Sequence, residues 1–438
     1  MIHLTDYKDL TAQKPIEILP LPETVYIPLA QHTGKICIEE VKVGDRVLTG
    51  QRIGFAAAHV FSPVHASLSG EVIAIRDYPH PALGQCRAIE IRSDSKDEIY
   101  RSQVTGLKSQ VEVDRLSVDE IRDIIFEAGI VGLGGAAFPT HIKLNPPKPV
   151  EVLIINLAEC EPYLTCDYRL ALENSVEILK GIQILAKILA VKKTFLAIED
   201  NKPEVIKKFR AVLAEQAFGK QLWQAKTKVE ITVLKTQYPQ GGEKQLIKSI
   251  LNKEVPSGKL PFDIGVVVHN VATVFAIYEA IYKNKPLYER VVTVSGSCLS
   301  NPRNLLTRIG SPIKNLIDFC GPLKEEPAKI IIGGTMMGIA QYSDEVPVIK
   351  STTGIILMNK KEAQDLEEEF CIRCGACVRE CPAGLMPCLI NLASEKSLWP
   401  EAKNYGVIDC IECGLCNYVC PANRRLVQSI KRAKLEVK

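Results

Sequence analysis

Cys371-Ile-Arg-Cys-Gly-Ala-Cys-Val-Arg-Glu-Cys-Pro382 and Cys410-Ile-Glu-Cys-Gly-Leu-Cys-Asn-Tyr-Val-Cys-Pro421 are two copies of one pattern. Each places cysteines at gaps of two, two and three residues and closes on Cys-Pro. Nine of the fifteen cysteines lie beyond residue 370, and the other six are scattered over everything before it. A secreted disulfide framework is small and evenly stapled, so thiols clustered at one end of a 438-residue chain point to bound metal.

Two-residue gaps let one tight loop wrap three thiolates around three corners of a cubane, and Gly375 and Gly414 permit the close backbone approach this needs. The fourth cysteine starts the next helical turn, points away and ligates the other cluster; this is the two-cluster bacterial ferredoxin signature. Crossed ligation then assigns Cys371, Cys374, Cys377 and Cys420 to one [4Fe–4S] cluster, and Cys381, Cys410, Cys413 and Cys416 to the other. A pair of zinc sites is the competing reading, but zinc ribbons join two Cys-x2-Cys knuckles and do not end in Cys-Pro. Cys388 lies outside both runs and reads as a small packed hydrophobe.

The chain as a whole is close to neutral, with 54 Lys plus Arg against 51 Asp plus Glu. That excludes a nucleic-acid protein working through a broad basic surface. Apolar residues at 46% and charged ones at 24% are ordinary for a globular chain, and the length allows about three domains. The most apolar stretch, Ile264 to Tyr282, is interrupted by His269, Asn270, Thr273 and Glu279 and is not expected to span a bilayer. The first residues lack a basic segment followed by an apolar one, so the expectation is a protein on the cytosolic side.

From Ser117 to about Gly296, helical and strand-like stretches alternate. Ser117-Val-Asp-Glu120 is a capping box that opens a helix. Val152–Ile155, Thr194–Ile198, Val229–Leu234 and Gly265–Val268 read as strands, and Leu170–Ala190 and Pro203–Phe218 as long amphipathic helices. Such alternation predicts a parallel sheet covered on both faces, with ligands at the carboxyl ends of its strands. The loops expected there are unusual. Gly129-Ile-Val-Gly-Leu-Gly-Gly-Ala-Ala-Phe-Pro-Thr140 is glycine-rich without matching either standard phosphate fingerprint. Lys143 follows it, and Asn156-Leu-Ala-Glu-Cys-Glu-Pro162, Gly241-Gly-Glu-Lys244 and Asn270 sit at other strand ends or helix starts. Singly, each reads equally well as part of a site or as plain structure, a glycine-closed loop or a carboxylate favoured at a helix start. Together they predict one pocket suited to an anion.

Those four loops resemble the flavin- and NADH-binding loops of the NADH-oxidising subunit of respiratory complex I. With both cluster runs, the whole chain resembles the C subunits of Rnf electron-transport complexes. The resemblance implies a multidomain α/β protein: an extension over 1–24, a barrel-sandwich, lipoyl-like module over 25–110, and an FMN/NADH-binding parallel α/β domain over 111–289. A β-grasp (SLBB-like) domain over 290–359 and a two-cluster ferredoxin-like helical domain over 360–438 complete it. It further implies that Gly132, Gly134, Gly135, Lys143, Asn156 and Asn270 hold FMN, with Phe138 in the same loop. Glu159, Glu161, Gly242, Glu243, Lys259 and Phe262 would lie around the flavin or the nucleotide. Ala137 stands where relatives often have glycine.

Val41–Gly50 and Ser62–Ile75 are similar to the halves of a carrier fold, but no lysine occurs from Val43 to Ser95, so the module is structural. His59 and His65 read as loop residues, Ser311-Pro312 as a helix start, and Cys320 as buried and inert. Asp365–Glu369 reads as a solvated helix face, and so does the basic end of the last helix, Arg424 to Lys434.

The implied function is electron entry. NADH is the substrate, FMN splits its electron pair, and two clusters pass single electrons to membrane and iron–sulfur partner subunits. No catalytic acid or base is required. The resemblance places the chain peripherally, through partners, on the cytoplasmic side of a bacterial inner membrane. Two other classes compete: a soluble NADH-dependent reductase, such as a cobalamin reductase, and a non-enzymatic iron–sulfur relay.

Overall fold

The structure is a computed structural model that describes residues 2–100, 113, 115–214, 228–364 and 366–437. Its centre is a four-stranded, wholly parallel sheet ordered Val229–Leu234, Lys193–Glu199, Val152–Leu157, Val266–Asn270. In chain order the strands run 3-2-1-4, so the winding reverses between Val152–Leu157 and Val266–Asn270. Both faces are covered, as the apolar strands require. Leu153, Ile155, Leu196, Ile198 and Val267 pack under the helices Val118–Glu127, Ser175–Leu189 and Val271–Lys283. Ile154, Ala197, Val266 and Val268 face Leu246 and Ile247 of the helix Glu243–Leu251.

The capping box forms: Ser117 Oγ accepts from the Glu120 amide at 3.2 Å and the Glu120 carboxylate accepts from the Ser117 amide at 2.7 Å. The helix expected over 170–190 is instead two, Cys166–Glu173 and Ser175–Leu189. Asn174 leaves the helical region between them, with its side-chain amide turned back to the Leu170 carbonyl at 3.2 Å. The helix Pro203–Ala214 is described; its expected end at Phe218 lies outside the described residues.

Two antiparallel sheets enclose the N-terminal core of Val25, Ile27, Val47, Ile53, Val64, Leu68, Ile89 and Ile91. His65 is not a loop residue; it lies buried in the strand Val64–His65, while His59 stays in a loop. A six-stranded mixed sheet follows the parallel-sheet domain, and Ile16–Ile18 joins its edge parallel to Arg303–Arg308. Ser311 does not cap the neighbouring helix, which starts at Ile313. Its carbonyl is taken by the Val348 amide and its hydroxyl is buried without a partner.

The C-terminal domain packs Pro387–Glu395, Trp399–Asn404 and Leu426–Glu436 around Ile390, Ala402, Val407 and Ile430. Of the stretch Asp365–Glu369, Leu366–Glu369 are irregular chain and not a helix face, and Asp365 lies outside the described residues. Nor is the basic stretch Arg424 to Lys434 merely solvated, and Arg424 and Arg425 precede the last helix and do not lie in it. Arg424 reaches Glu368 at 3.4 Å, and Lys434 reaches Glu412 at 2.7 Å. Cys320 is buried, which pushes its thiol up to about 12.

Candidate flavin and iron–sulfur sites

The reversal of the parallel sheet opens a crevice at the carboxyl ends of two strands, where open α/β sheets bind ligands. Asn156 and Asn270 lie side by side there, on adjacent parallel strands and in direct register. Asn156 is thus the fifth residue of its strand, not the start of the following loop. Its Nδ2 donates to the Gly241 carbonyl at 2.9 Å, and its Oδ1 accepts from the Ala158 amide at 3.0 Å. Asn270 caps the helix Val271–Lys283, its Oδ1 accepting from the Ala272 amide at 2.8 Å. Its Nδ2 donates to Asp167 at 2.6 Å.

The glycine loop borders Asn270. A Cβ on Gly134 would stand 3.3 Å from Asn270, while Gly135, at φ +111, faces open space. The Gly132 amide donates to the Phe138 carbonyl at 2.9 Å and closes the loop around the half-buried Phe138. Ala137 is held at φ 48, a left-handed conformation that glycine adopts without cost and alanine does not. The Leu133 amide is anchored on Thr273 Oγ1 at 2.9 Å.

Lys143 pairs with Glu243 at 2.5 Å, so two residues expected around one ligand meet directly. Gly242 precedes the helix that Glu243 opens, and a Cβ there would strike Gln245 Oε1 at 2.6 Å. Glu159 is buried; its carboxylate accepts from the Asp167 amide at 2.9 Å and the Tyr168 amide at 3.2 Å, securing the start of Cys166–Glu173. Burial, and then the charge of Glu159, raise the Asp167 carboxyl. Glu161 turns elsewhere. It accepts from the amides of Met336 and Met337 at 3.0 and 3.1 Å and from Tyr238 Oη at 3.2 Å. Burial still raises its carboxyl despite those donors. Lys259 is exposed, and Phe262 packs on the core from the turn Pro261–Ile264. Among the described residues, no side-chain hydrogen bond ties either to the glycine loop or the asparagines.

These residues fit a flavin phosphate and ring. They combine a cradle of bare glycines, a lysine paired with Glu243, and buried polar atoms of Gln240, Gln245 and His269 that lack partners among the described residues. Sequence reading missed Asp167 and Tyr238, which carry no local signal. It also missed Lys8, whose buried amine donates to the carbonyls of Glu161 and Leu164.

In the C-terminal domain, Cys381, Cys410, Cys413 and Cys416 line one cavity with Pro382, Leu385 and Ile430. That is the crossed set expected from spacing, and the cavity's soft, apolar lining fits a cubane. Burial pushes the thiols of Cys413 and Cys416 up to about 11 and 12. Metal binding must therefore displace their protons. Cys377 lies beside Cys388 and Cys420, and burial lifts its thiol to about 11. Cys371 and Cys374 are exposed.

Fold and site together define a modular flavin and iron–sulfur redox protein. Four family models match along the chain: the RnfC barrel sandwich hybrid domain over residues 2–96, the Nuo51 FMN-binding domain over 125–279, the SLBB domain over 291–340, and the 4Fe–4S dicluster domain over 363–429. The chain belongs to the family of C subunits of the ion-translocating oxidoreductase complexes. It is 49% identical, over 99% of its length and 93% of the relative's, to the C subunit of the proton-translocating ferredoxin:NAD(+) oxidoreductase complex of Clostridium ljungdahlii. It is 42% identical to the Na(+)-translocating counterpart of Acetobacterium woodii, over all of this chain and 96% of that one. It is also 42% identical to the C subunit of the ion-translocating oxidoreductase complex of Rhodobacter capsulatus, over 99% of this chain and 82% of that one. A solved chain of the NAD+-reducing [NiFe]-hydrogenase in its H2-reduced state is similar at a TM-score of 0.52 and 16% identity. That match covers 74% of this chain and 63% of the other, and speaks to the fold alone.

The chain is therefore an oxidoreductase subunit with FMN and two [4Fe–4S] clusters as its cofactors, and its relatives' names imply further subunits. Among the described residues, no helix is long and apolar enough to cross a membrane.

Proposed function

We propose that this chain is the NADH-linked electron-entry subunit of an ion-translocating complex, exchanging electrons between NADH and iron–sulfur partner subunits in either direction. The Asn156–Asn270 pair at the sheet's reversal, with Gly134 of the glycine loop against Asn270, carries this reading. FMN, when bound, supplies the exchange between a two-electron hydride donor and one-electron clusters. The amides of Gly132, Gly134 and Gly135 would receive its phosphate, with Lys143 exchanging Glu243 for that anion. Asn156 and Asn270 would hold the ring; Gly242 leaves room at the helix start, and Phe138 shields one side. Glu159 would keep the loop in shape from behind. Lys259 and Phe262 would meet the nucleotide only at the rim of the crevice. The ligand sets are those named above, and the module boundaries 25–110, 111–289, 290–359 and 360–438 belong to the same proposal. The chain would sit on the cytoplasmic side of a bacterial inner membrane, held by its partners.

The test is anaerobic purification of the whole chain. It should carry about eight irons with bound flavin, and NADH should bleach the flavin. Lys143→Ala should release flavin while iron content holds, since charge-assisted contacts contribute about 1.5–3 kcal/mol. Cys416→Ala should keep NADH oxidation by a small acceptor that reaches the flavin and lose delivery to partner subunits. Zinc in place of iron, or full flavin retention in Lys143→Ala, contradicts the assignment.

A further inference from the structure

The two cysteine runs give their loops the same backbone. Arg373 and Glu412 take φ of 57 and 58, and Gly375 and Gly414 take φ of 72 and 82. Their surroundings differ completely. The second loop is pressed onto the flavin-type domain. Cys413 and Leu415 share an apolar cluster with Leu4 and Tyr238, against which Cys160 and Met336 pack. The Cys413 carbonyl accepts from Tyr238 Oη at 2.7 Å, and a Cβ on Gly414 would come within 2.6 Å of the Met336 carbonyl. Beside it, Asp409 meets Lys244 at 3.5 Å, and the Pro382 carbonyl meets Gln245 at 3.4 Å. Cys160 belongs to the loop after Asn156, and Lys244 and Gln245 to the helix after Gly242. The flavin loops therefore back directly onto this cluster.

The first loop is bare. Cys371 and Cys374 are exposed, Phe370 is 94% exposed and Ile372 66%. Tyr418, two residues before the ligand Cys420, is 61% exposed. Exposed charges of both signs, Glu367, Glu369, Arg373 and Arg379, flank this apolar centre along the chain, and Arg379 donates to the Cys374 carbonyl at 2.9 Å. An aromatic centre with a charged rim is how protein interfaces are built. Redox ligands at its middle fix what must dock there, because one-electron transfer needs the two centres close together.

We propose that the cluster of Cys381, Cys410, Cys413 and Cys416 is the flavin-side station, that the cluster of Cys371, Cys374, Cys377 and Cys420 is the outer one, and that the Phe370–Cys374 face docks an iron–sulfur partner subunit. This rests on the electron-entry reading above. Each passage moves one electron: the flavin-side cluster is oxidised as the outer one is reduced, and the outer one as the partner's centre is reduced. No bond or proton changes hands in these two steps.

The test uses the full chain loaded with FMN and both clusters, freeze-quenched after mixing with NADH and read by electron paramagnetic resonance. Cys374→Ala should leave reduction of the flavin-side cluster within about twofold of the parent rate. Cys413→Ala should slow reduction of the outer cluster at least tenfold, although dithionite still reduces it. The opposite pattern overturns the order. If NADH reduces neither cluster in the parent chain, the electron-entry reading fails and takes the order with it. Should either lesion unfold the domain, the double variant Phe370→Glu with Ile372→Ser leaves every thiolate in place. Added to membranes lacking this subunit, it should keep NADH reduction of both its own clusters and deliver electrons to the membrane iron–sulfur centres at least tenfold more slowly. Unchanged delivery overturns the docking face.

Discussion

Asn270 concentrates three jobs in one short side chain: it caps a helix, holds a buried carboxyl and borders the glycine loop. Asn270→Ala should lose about 1 kcal/mol of capping. It should also leave Asp167 without its donor and so raise that carboxyl further. Flavin retained after desalting should fall together with the thermal midpoint. Asn270→Asp separates the two effects. It keeps a capping acceptor but sets a second carboxylate against Asp167, so it should destabilise more than alanine does at pH 8 and less at pH 5. If Asn270→Ala loses stability but keeps all its flavin, the asparagine is structural only.

At the scale of elements, the loop after Val152–Leu157 is held from outside itself. Glu159 is occupied by the next helix, Glu161 by the 336–337 amides and by Tyr238, and Tyr238 in turn by the cluster loop at Cys413. Tyr238→Phe removes one hydroxyl whose single proton lies between two acceptors, the Cys413 carbonyl at 2.7 Å and the Glu161 carboxylate at 3.2 Å, and leaving a buried acceptor unmet costs about 1–3 kcal/mol. The expected outcome is a lower thermal midpoint with iron and flavin content intact. A slower passage of electrons from flavin to the Cys413 cluster, seen by stopped flow, should accompany it. An unchanged midpoint would mean that water replaces the hydroxyl at both places.

Across the whole molecule, Lys350 is the common bolt. From the chain leading into the mixed sheet, its buried amine donates to the Pro63 carbonyl of the barrel module at 2.7 Å and to the Gly129 carbonyl of the flavin-type domain at 2.6 Å. Burial, opposed only weakly by the neighbouring Cys37, lowers its pKa from 10.5 to about 7. Between those two values the unfolded lysine still binds a proton that the folded one has lost. Raising the pH through that window therefore favours the folded state, and the penalty for burying the charge is full below about 7. The thermal midpoint of the parent chain should rise from pH 7 to 9 by more than that of Lys350→Met, which cannot titrate. A parallel pH dependence in the two proteins would show that Lys350 keeps its proton when folded.

The sequence by itself determined the two cysteine runs proposed as cluster ligands by their spacing, the parallel sheet by its apolar strands, and the loops proposed to meet a flavin by their glycines and asparagines. All of these are local patterns, and short stretches of chain express them wherever they sit. It could not place Ile16–Ile18 at the edge of a sheet nearly three hundred residues away, nor Lys8 beneath Glu161. It could not tell that Glu161 faces Met336 and Tyr238, and it took Asp365–Glu369 for a helix face. Above all, Cys371–Cys377 and Cys410–Cys416 are nearly the same words. Only the tertiary structure makes one the covered cluster loop and the other the bare one. The physical reason is that burial depends on what packs against a segment, and the groups that cover Cys413, from Leu4 to Met336, are gathered from everywhere else in the chain.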